Sequence, residues 1–386
     1  LLQPTYLRWL GYGEDSSQQN SSSDYIPQSS AIEEKVSPSV SKIGRGDYLI
    51  DAVSPSPEKF ITIASPLYTA TISNRAGGSI HSYILTEFVK DNYKYIGGYN
   101  KDGVFNDNLM VSLIMPSENY CSPCLAVFDD IADQYKFINS SFTLISPSNV
   151  SDTLFITGGE SVEFQYVLND SNGHELIKKH VLFSANSYVS EHVFEVSENM
   201  LDSEGPVELM WAGGVRPTEL KQDEDIQYSS GVVGQAGETE DVQTTSPDKN
   251  ISRTIYNGTT DWVAVRSKYF ISALISNTPG SFATLSADNV SFGSRKHTPA
   301  YNASVGFPLD VSAISSSLYL GPLDIDHISL LDSNLESIMN FGWSIIKPFS
   351  RFVLWFIKFL NSLLGINYGF VLILVALIMR VVMGPL

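Results

Sequence analysis

Phe164-Gln165-Tyr166-Val167-Leu168 and Leu176-Ile177-Lys178-Lys179-His180-Val181-Leu182-Phe183 lie on either side of Asn172-Gly173. Aromatic and β-branched side chains suit a pleated, half-buried surface, and Asn-Gly tolerates the positive φ values that a tight hairpin needs. The same pattern repeats outward in both directions. Toward the N-terminus, Phe60-Ile61-Thr62-Ile63 and Tyr68-Thr69-Ala70-Thr71-Ile72-Ser73 lead into a Gly77-Gly78 turn. Toward the C-terminus, Val189 to Val196 partly alternates apolar with polar residues, and Trp262 to Arg266 and Tyr269 to Ile275 read the same way. From Asp47 to about Leu320 no stretch shows a sustained 3.6-residue apolar period, and no fixed-period repeat suggests a propeller or solenoid. About 270 residues of strands without crossover helices predict a mainly β protein built on a large antiparallel sandwich.

The pattern changes after Asn340. Between Trp343 and Leu364 the polar positions Ser344, Lys347, Arg351, Lys358, Asn361 and Ser362 share an arc of roughly 100°, and aromatic and aliphatic residues fill the rest. A wide apolar face with a narrow basic stripe fits the plane of a membrane interface. Trp343, Lys347, Arg351, Trp355 and Lys358 are its predicted membrane-interface residues. Pro348 falls in the first turn or marks a kink. A soluble core helix is the alternative, but it would rarely come from a stretch as free of carboxylates as Phe341 to Leu386. After Gly365, the 21 residues from Ile366 to Leu386 would span about 31 Å, which predicts a transmembrane helix. Arg380 lies 14 positions beyond Ile366, about 21 Å into the apolar layer. A guanidinium there is expensive unless it faces protein or water, so it marks a functional position; snorkelling to the far headgroups, near Gly384-Pro385, is the alternative.

Charge divides along the same line. The 386 residues carry 24 Lys+Arg and 42 Asp+Glu, a net −18, which excludes a nucleic-acid binder dependent on clustered positive charge. Phe341 to Leu386 holds four of the basic groups and no acidic one, leaving 20 − 42 = −22 for the remainder. Two solvents are implied, water for the acidic part and lipid for the tail. The expected organisation is a possible remnant after a first membrane segment (1–13), a Ser-rich flexible linker (14–46), a β domain (47–335), an amphipathic interfacial helix (336–365) and a truncated transmembrane helix (366–386).

Cys121-Ser122-Pro123-Cys124 contains the two cysteines. A dithiol oxidoreductase would place such a motif at a helix N-terminus, whereas Leu125 to Asp130 looks like a strand. A local structural disulfide in an oxidising compartment is the preferred reading. The six histidines show no chelating spacing, so no metal is expected. Asp129-Asp130-Ile131-Ala132-Asp133 and Asp223-Glu224-Asp225 lack the spacing of a calcium loop and are read as solvated surface charge. Phosphate-binding loops, nucleophile elbows and zinc-protease motifs are missing from the sequence, and the scattered N-x-S/T triplets are at chance level.

A family resemblance rests on many of these residues together. Tyr319-Leu320-Gly321-Pro322, Asp324, Leu335-Glu336, Phe341-Gly342-Trp343, Lys347-Pro348, Phe359-Leu360 and Asn367-Tyr368-Gly369-Phe370 through Arg380 to Pro385-Leu386 resemble the YidC-type membrane protein insertases of the Oxa superfamily. Ile72-Ser73-Asn74 with Gly77-Gly78-Ser79-Ile80, Lys178-Lys179 before Phe183 and Tyr188, and Trp262 to Arg266 with Lys268-Tyr269-Phe270 resemble that family's large periplasmic domain. The resemblance covers roughly Tyr48 to Leu386. It implies a galactose-mutarotase-like supersandwich in the periplasm, an interfacial helix on the outer face of the bacterial inner membrane, and a transmembrane helix whose Arg380 lines a hydrophilic substrate groove. It further implies that the protein is not an enzyme, needs no cofactor and has as partners nascent membrane proteins, the lipid bilayer and the Sec translocon with its accessory subunits. The family's later membrane helices do not follow Leu386, and its first is reduced at most to Leu1 to Gly13, so this chain alone is not expected to insert anything. Two readings compete: a membrane-anchored carbohydrate-active or carbohydrate-binding protein, because mutarotase-like sandwiches also serve such functions, and an envelope chaperone or binding module.

Overall fold

The computed structural model describes residues 57–383 apart from 101, 117–120, 171, 198–205, 245, 247–248, 309, 332, 340–346 and 366. The expected remnant at 1–13, the linker at 14–46 and Trp343 lie outside the described residues.

The opening hairpin forms where the sequence predicts it. Ser161–Asn169 pairs antiparallel with Glu175–Ser184, with Tyr166 opposite Lys179. The loop is longer than the Asn-Gly pair alone. Asp170 accepts the Asn172 and His174 backbone N–H groups at 2.8 Å each, and Gly173 takes the positive φ, +86°. From this hairpin a sheet of 13 strands extends in both directions. Edge to edge, its main path is Thr143–Ser146, Ser161–Asn169, Glu175–Ser184, Val189–Val196, Ala313–Pro322, Phe270–Phe292, Arg295–Phe307, Val207–Trp211, Cys124–Asp129 and Gln134–Phe137. Ile251–Arg266 branches from Phe270–Phe292 and carries Ser230–Gln235 and Glu238–Val242. A second sheet of four strands, Thr153–Phe155, Phe60–Ala64, Tyr68–Ser73 and Ser79–Leu85, completes the sandwich. Its first two strands run parallel, an exception to the expected antiparallel pattern.

One apolar core unites residues of both sheets, including Ile63, Tyr68, Ile72, Tyr83, Phe164, Tyr166, Phe183, Phe194, Trp211 and Trp262. The Gly77-Gly78 turn has φ of +66° and +87°, and a Cβ on either glycine would come within 2.9 Å of Phe142 or Tyr166. Substitution there is both strained and crowded. On Val189–Val196 the inward positions are Ser190, His192, Phe194 and Val196, so this strand buries two polar groups while keeping Glu191 and Glu195 on its other face. A seven-residue helix, Gln222–Tyr228, interrupts the β domain. It is too short and polar to show a helical apolar period, and three acidic residues in its first turn favour it through the helix dipole.

Beyond the sandwich come the short helix Ile325–Ile328 and the helices Lys347–Leu364 and Tyr368–Met383. Pro348 stands in the first turn of Lys347–Leu364, where its missing N–H costs no helical hydrogen bond. Gly365, at φ +63°, ends that helix and donates to the Asn361 carbonyl, while the Asn367 side chain accepts the Gly369 N–H and starts the next. The last helix therefore begins at Tyr368 rather than Ile366. Among the described residues no single helix is long and apolar enough to cross a membrane; Phe352–Leu364 and Tyr368–Ile378 pass that test as a pair bent by 120°.

Candidate membrane-facing site

The amphipathic helix presents two contrasting sides. Phe352, Trp355, Phe359 and Leu363 recur at three- and four-residue spacing and are all exposed. The Trp355 and Phe359 rings stack at 5.5 Å between centroids, and Phe352 stacks on Phe356 at 6.2 Å. Lys358, turned about 100° from Phe359, donates to the Asp326 carboxylate at the sandwich's C-terminal end. Asp326 is set there by the preceding turn, where the Asp324 carboxylate accepts the Asp326 N–H and caps the short helix. Leu354 and Lys358 also close a cleft of about 740 Å³ with Tyr95, Tyr269 and Leu323 of the β domain and Met339 just beyond it. Lys358 thus faces the protein, while Phe352, Trp355, Phe359 and Leu363 are exposed. Lys347 and Arg351 share the Lys358 arc by helical spacing, but their side chains, like all of Trp343, lie outside the described residues.

On the last helix Val371 is fully buried and Leu374, Val375 and Ile378 are half-buried along the same face. Arg380, nine residues beyond Val371, falls about 180° round the helix and is exposed. Ile373, Leu377 and Val381, on its side, are exposed as well. A lone guanidinium on an apolar face can offer a charge-assisted hydrogen bond to an anionic group, and performs no covalent chemistry.

The remaining polar groups are built into the sandwich, apart from these helices. Cys121 and Cys124 are buried, with their sulfur atoms joined at 2.07 Å, in a small second core with Ala76, Ala126, Met210 and Ala212. Lys179, wholly buried, donates to the carbonyls of Ala76 and Pro123 at 3.0 and 3.1 Å, and so ties the Gly77-Gly78 turn to the cysteine loop. Burial pushes its pKa down to about 7. Burial, and secondarily the charge of Lys179, holds His192 well below the usual histidine range. Sequence reading gave Lys179 no chemical role; its one signal was a lysine on the inward register of a core strand.

Glu208 was also missed. Fully buried, it pairs with Arg253 at 2.7 Å and accepts from Tyr135 at 2.9 Å and from Thr284 and Ser304. The reading of Asp223-Glu224-Asp225 as solvated charge needs correction. Asp225 is buried against Arg295, and Glu224 pairs with Lys268 at 2.6 Å. Among the described residues no group of three or more His, Cys, Asp or Glu is placed to hold a metal ion.

These elements define a mainly β, supersandwich domain that ends in one amphipathic and one apolar helix. The YidC periplasmic domain family matches residues 60–355, and the chain belongs to that family. The membrane protein insertase YidC of Chloroherpeton thalassium is 27% identical over 336 residues, which cover 85% of this chain and 53% of that protein. The YidC insertase of Chlorobium phaeovibrioides is 32% identical over 252 residues, 61% of this chain and 41% of that protein. Among solved structures, YidC from Thermotoga maritima aligns with a TM-score of 0.35 and 12% identity over 86% of this chain and 70% of its own. A putative aldose 1-epimerase from Escherichia coli aligns with a TM-score of 0.36 and 8% identity over 69% of this chain and 100% of its own. The chain spans about half the length of the curated relatives it matches.

Proposed function

We propose that this chain is the periplasmic and first groove-forming part of a membrane protein insertase. It would facilitate the insertion and folding of nascent membrane proteins into the bacterial inner membrane, alone or with the Sec translocon and its accessory subunits. The observation that carries the reading is the two-sided helix: Lys358 is tied to Asp326 of the β domain, while Phe352, Trp355 and Phe359 face outward. In this arrangement the helix lies on the outer membrane surface with the sandwich in the periplasm, and the apolar helix carries Arg380 into the bilayer. A nascent segment with an acidic or polar flank meets a barrier of several kcal/mol in lipid. A hydrated groove with a fixed guanidinium shortens that barrier and pairs transiently with the flank. No bond is made or broken, and no cofactor is required.

The test is complementation of an insertase-depleted cell by the full-length gene carrying Arg380→Ala. Loss of insertion of acidic-flanked substrates is expected. Normal growth together with normal insertion of such a substrate overturns the groove assignment, and points instead to a sandwich that works as a binding module on a mere anchor.

A further inference from the structure

Arg216 is a buried cation that the insertase reading leaves unused. It is 8% exposed, and its Nη2 donates to the carbonyls of Tyr99 and Asn100 at 3.0 and 2.6 Å. Its Nη1 reaches Ser112 Oγ at a marginal 3.5 Å, and its buried Nε has no hydrogen-bond partner among the described residues. The Phe292 ring lies 4.9 Å from the guanidinium carbon. The described ion pairs engage Arg253 with Glu208 and Arg295 with Asp225, but none gives Arg216 a carboxylate. Burial accordingly pulls its pKa down. A guanidinium taken from water and left without a counter-charge is unusual, because buried charges are normally paired.

The environment of Arg216 includes a cavity. It lines a space of about 570 Å³ together with Ser79, Ser82, Ser112, Ser122 and His81. Ser79 is 1% exposed, and its Oγ also lacks a partner among the described residues. Phe60 and His81, both exposed lining residues, hold their rings 4.9 Å apart and tilted by 55°. The wall is fixed by main-chain bonds from Ile80 N–H to the Ser122 carbonyl of the cysteine loop and from Leu113 N–H to the Tyr83 carbonyl, both 2.9 Å. The volume is typical of small-molecule sites. A guanidinium with spare donors and several hydroxyls, with no carboxylate among the described lining residues, is the donor set for an oxyanion. We propose that this cavity is a binding site for a small carboxylate- or phosphate-bearing ligand, held by Arg216 and Ser79. Acting purely as a staple for the Tyr99 and Asn100 carbonyls, Arg216 would use Nη2 well, Nη1 only marginally through Ser112, and Nε not at all.

The proposal is tested by calorimetric titration of the purified chain in detergent micelles with acetate and with inorganic phosphate, ionic strength being held constant. Saturable binding of one of them is expected with Kd in the millimolar range or tighter. Tighter acetate binding assigns a carboxylate ligand, and tighter phosphate binding a phosphate ester. Arg216→Gln should weaken binding by about tenfold or more, the worth of a charge-assisted contact. Ser79→Ala should weaken it less. Should Arg216→Gln fail to fold by circular dichroism, Ser82→Phe fills the cavity without touching the guanidinium and must abolish the heat. Absence of saturable binding by either anion, or undiminished binding in a folded Arg216→Gln or Ser82→Phe chain, overturns the proposal.

Discussion

Lys358 on the amphipathic helix donates through Nζ to the carboxylate of Asp326, 32 residues earlier, in the turn that leaves the β domain. Both groups are partly exposed, so the pair contributes under about 1 kcal/mol to stability. Its effect is on orientation, because it ties the Lys358 side of the helix to the β domain while Phe352, Trp355 and Phe359 stay exposed. Asp326→Lys should impair insertion in the complementation assay with little change in melting temperature, and the added change Lys358→Glu should restore it. Failure of the double swap to rescue would make the pair incidental.

Trp355 and Phe359 are the exposed aromatic pair on that ridge. Their burial in an acyl-chain boundary is worth about 1.5–3 kcal/mol per side chain. Trp355→Ser should therefore lower the partitioning of the helix into phospholipid vesicles by roughly tenfold or more. Co-sedimentation measures this directly, and an unchanged partition coefficient would contradict lipid contact by the ridge.

Lys179 makes stability depend on pH. Its pKa is pushed down to about 7 in the folded chain, below the unfolded lysine value, because burial disfavours the ammonium. Between about pH 7 and 10 the unfolded chain binds the extra proton, so stability rises with pH by at most about 1.4 kcal/mol per unit. Below pH 7 both states are protonated and the penalty is constant. Lys179→Met should flatten this segment of the stability profile in denaturant titrations at stepped pH.

Arg253 and Glu208 form a pair in which the carboxylate is wholly removed from water. Arg253→Met leaves that charge unmatched and should destabilise the chain by about 3 kcal/mol or more. The double variant with Glu208→Leu should recover much of the loss. Thermal melts of the two variants decide between a matched ionic cluster and a dispensable one.

Cys121 and Cys124 close a very short loop. Protein recovered from an oxidising compartment should gain the mass of two hydrogens on reduction, as read by intact mass spectrometry. Replacing both by serine should cost about 2 kcal/mol or less, since so short a loop restrains the unfolded chain little.

How much of this was legible in the sequence depended on the range of the interaction. The Ser161 to Ser184 hairpin, the Gly77-Gly78 turn and the two terminal helices follow from local pattern, because strand alternation, glycine backbone freedom and a carboxylate-free amphipathic arc are each contained in a short window. Trp355, Lys358 and Arg380, whose roles remain part of the proposal, were singled out by that same local logic. Their partners were not. Asp326 looks like any surface acid until the fold brings Lys358 to it, and Glu208 and Arg253 are 45 residues apart in sequence. On Val189–Val196 the partial alternation was legible, but it left the register open, and the fold places Ser190 and His192 inside with Phe194 and Val196 and leaves Glu191 and Glu195 on the other face. Arg216 carried no motif, since what distinguishes it is burial without a carboxylate partner among the described residues, which appears only once the chain is folded.

Ala313–Pro322, the strand that leads into the terminal helices, is not at an edge: it pairs with Val189–Val196 on one side and Phe270–Phe292 on the other. Tension applied through those helices along the strand's own axis reaches two ladders whose hydrogen bonds lie across the direction of pull. They share the load and must fail together, whereas an edge strand peeled from its end would lose them one at a time. The β domain therefore has the geometry of a mechanical anchor, suited to staying folded under a load applied through the two helices that follow it.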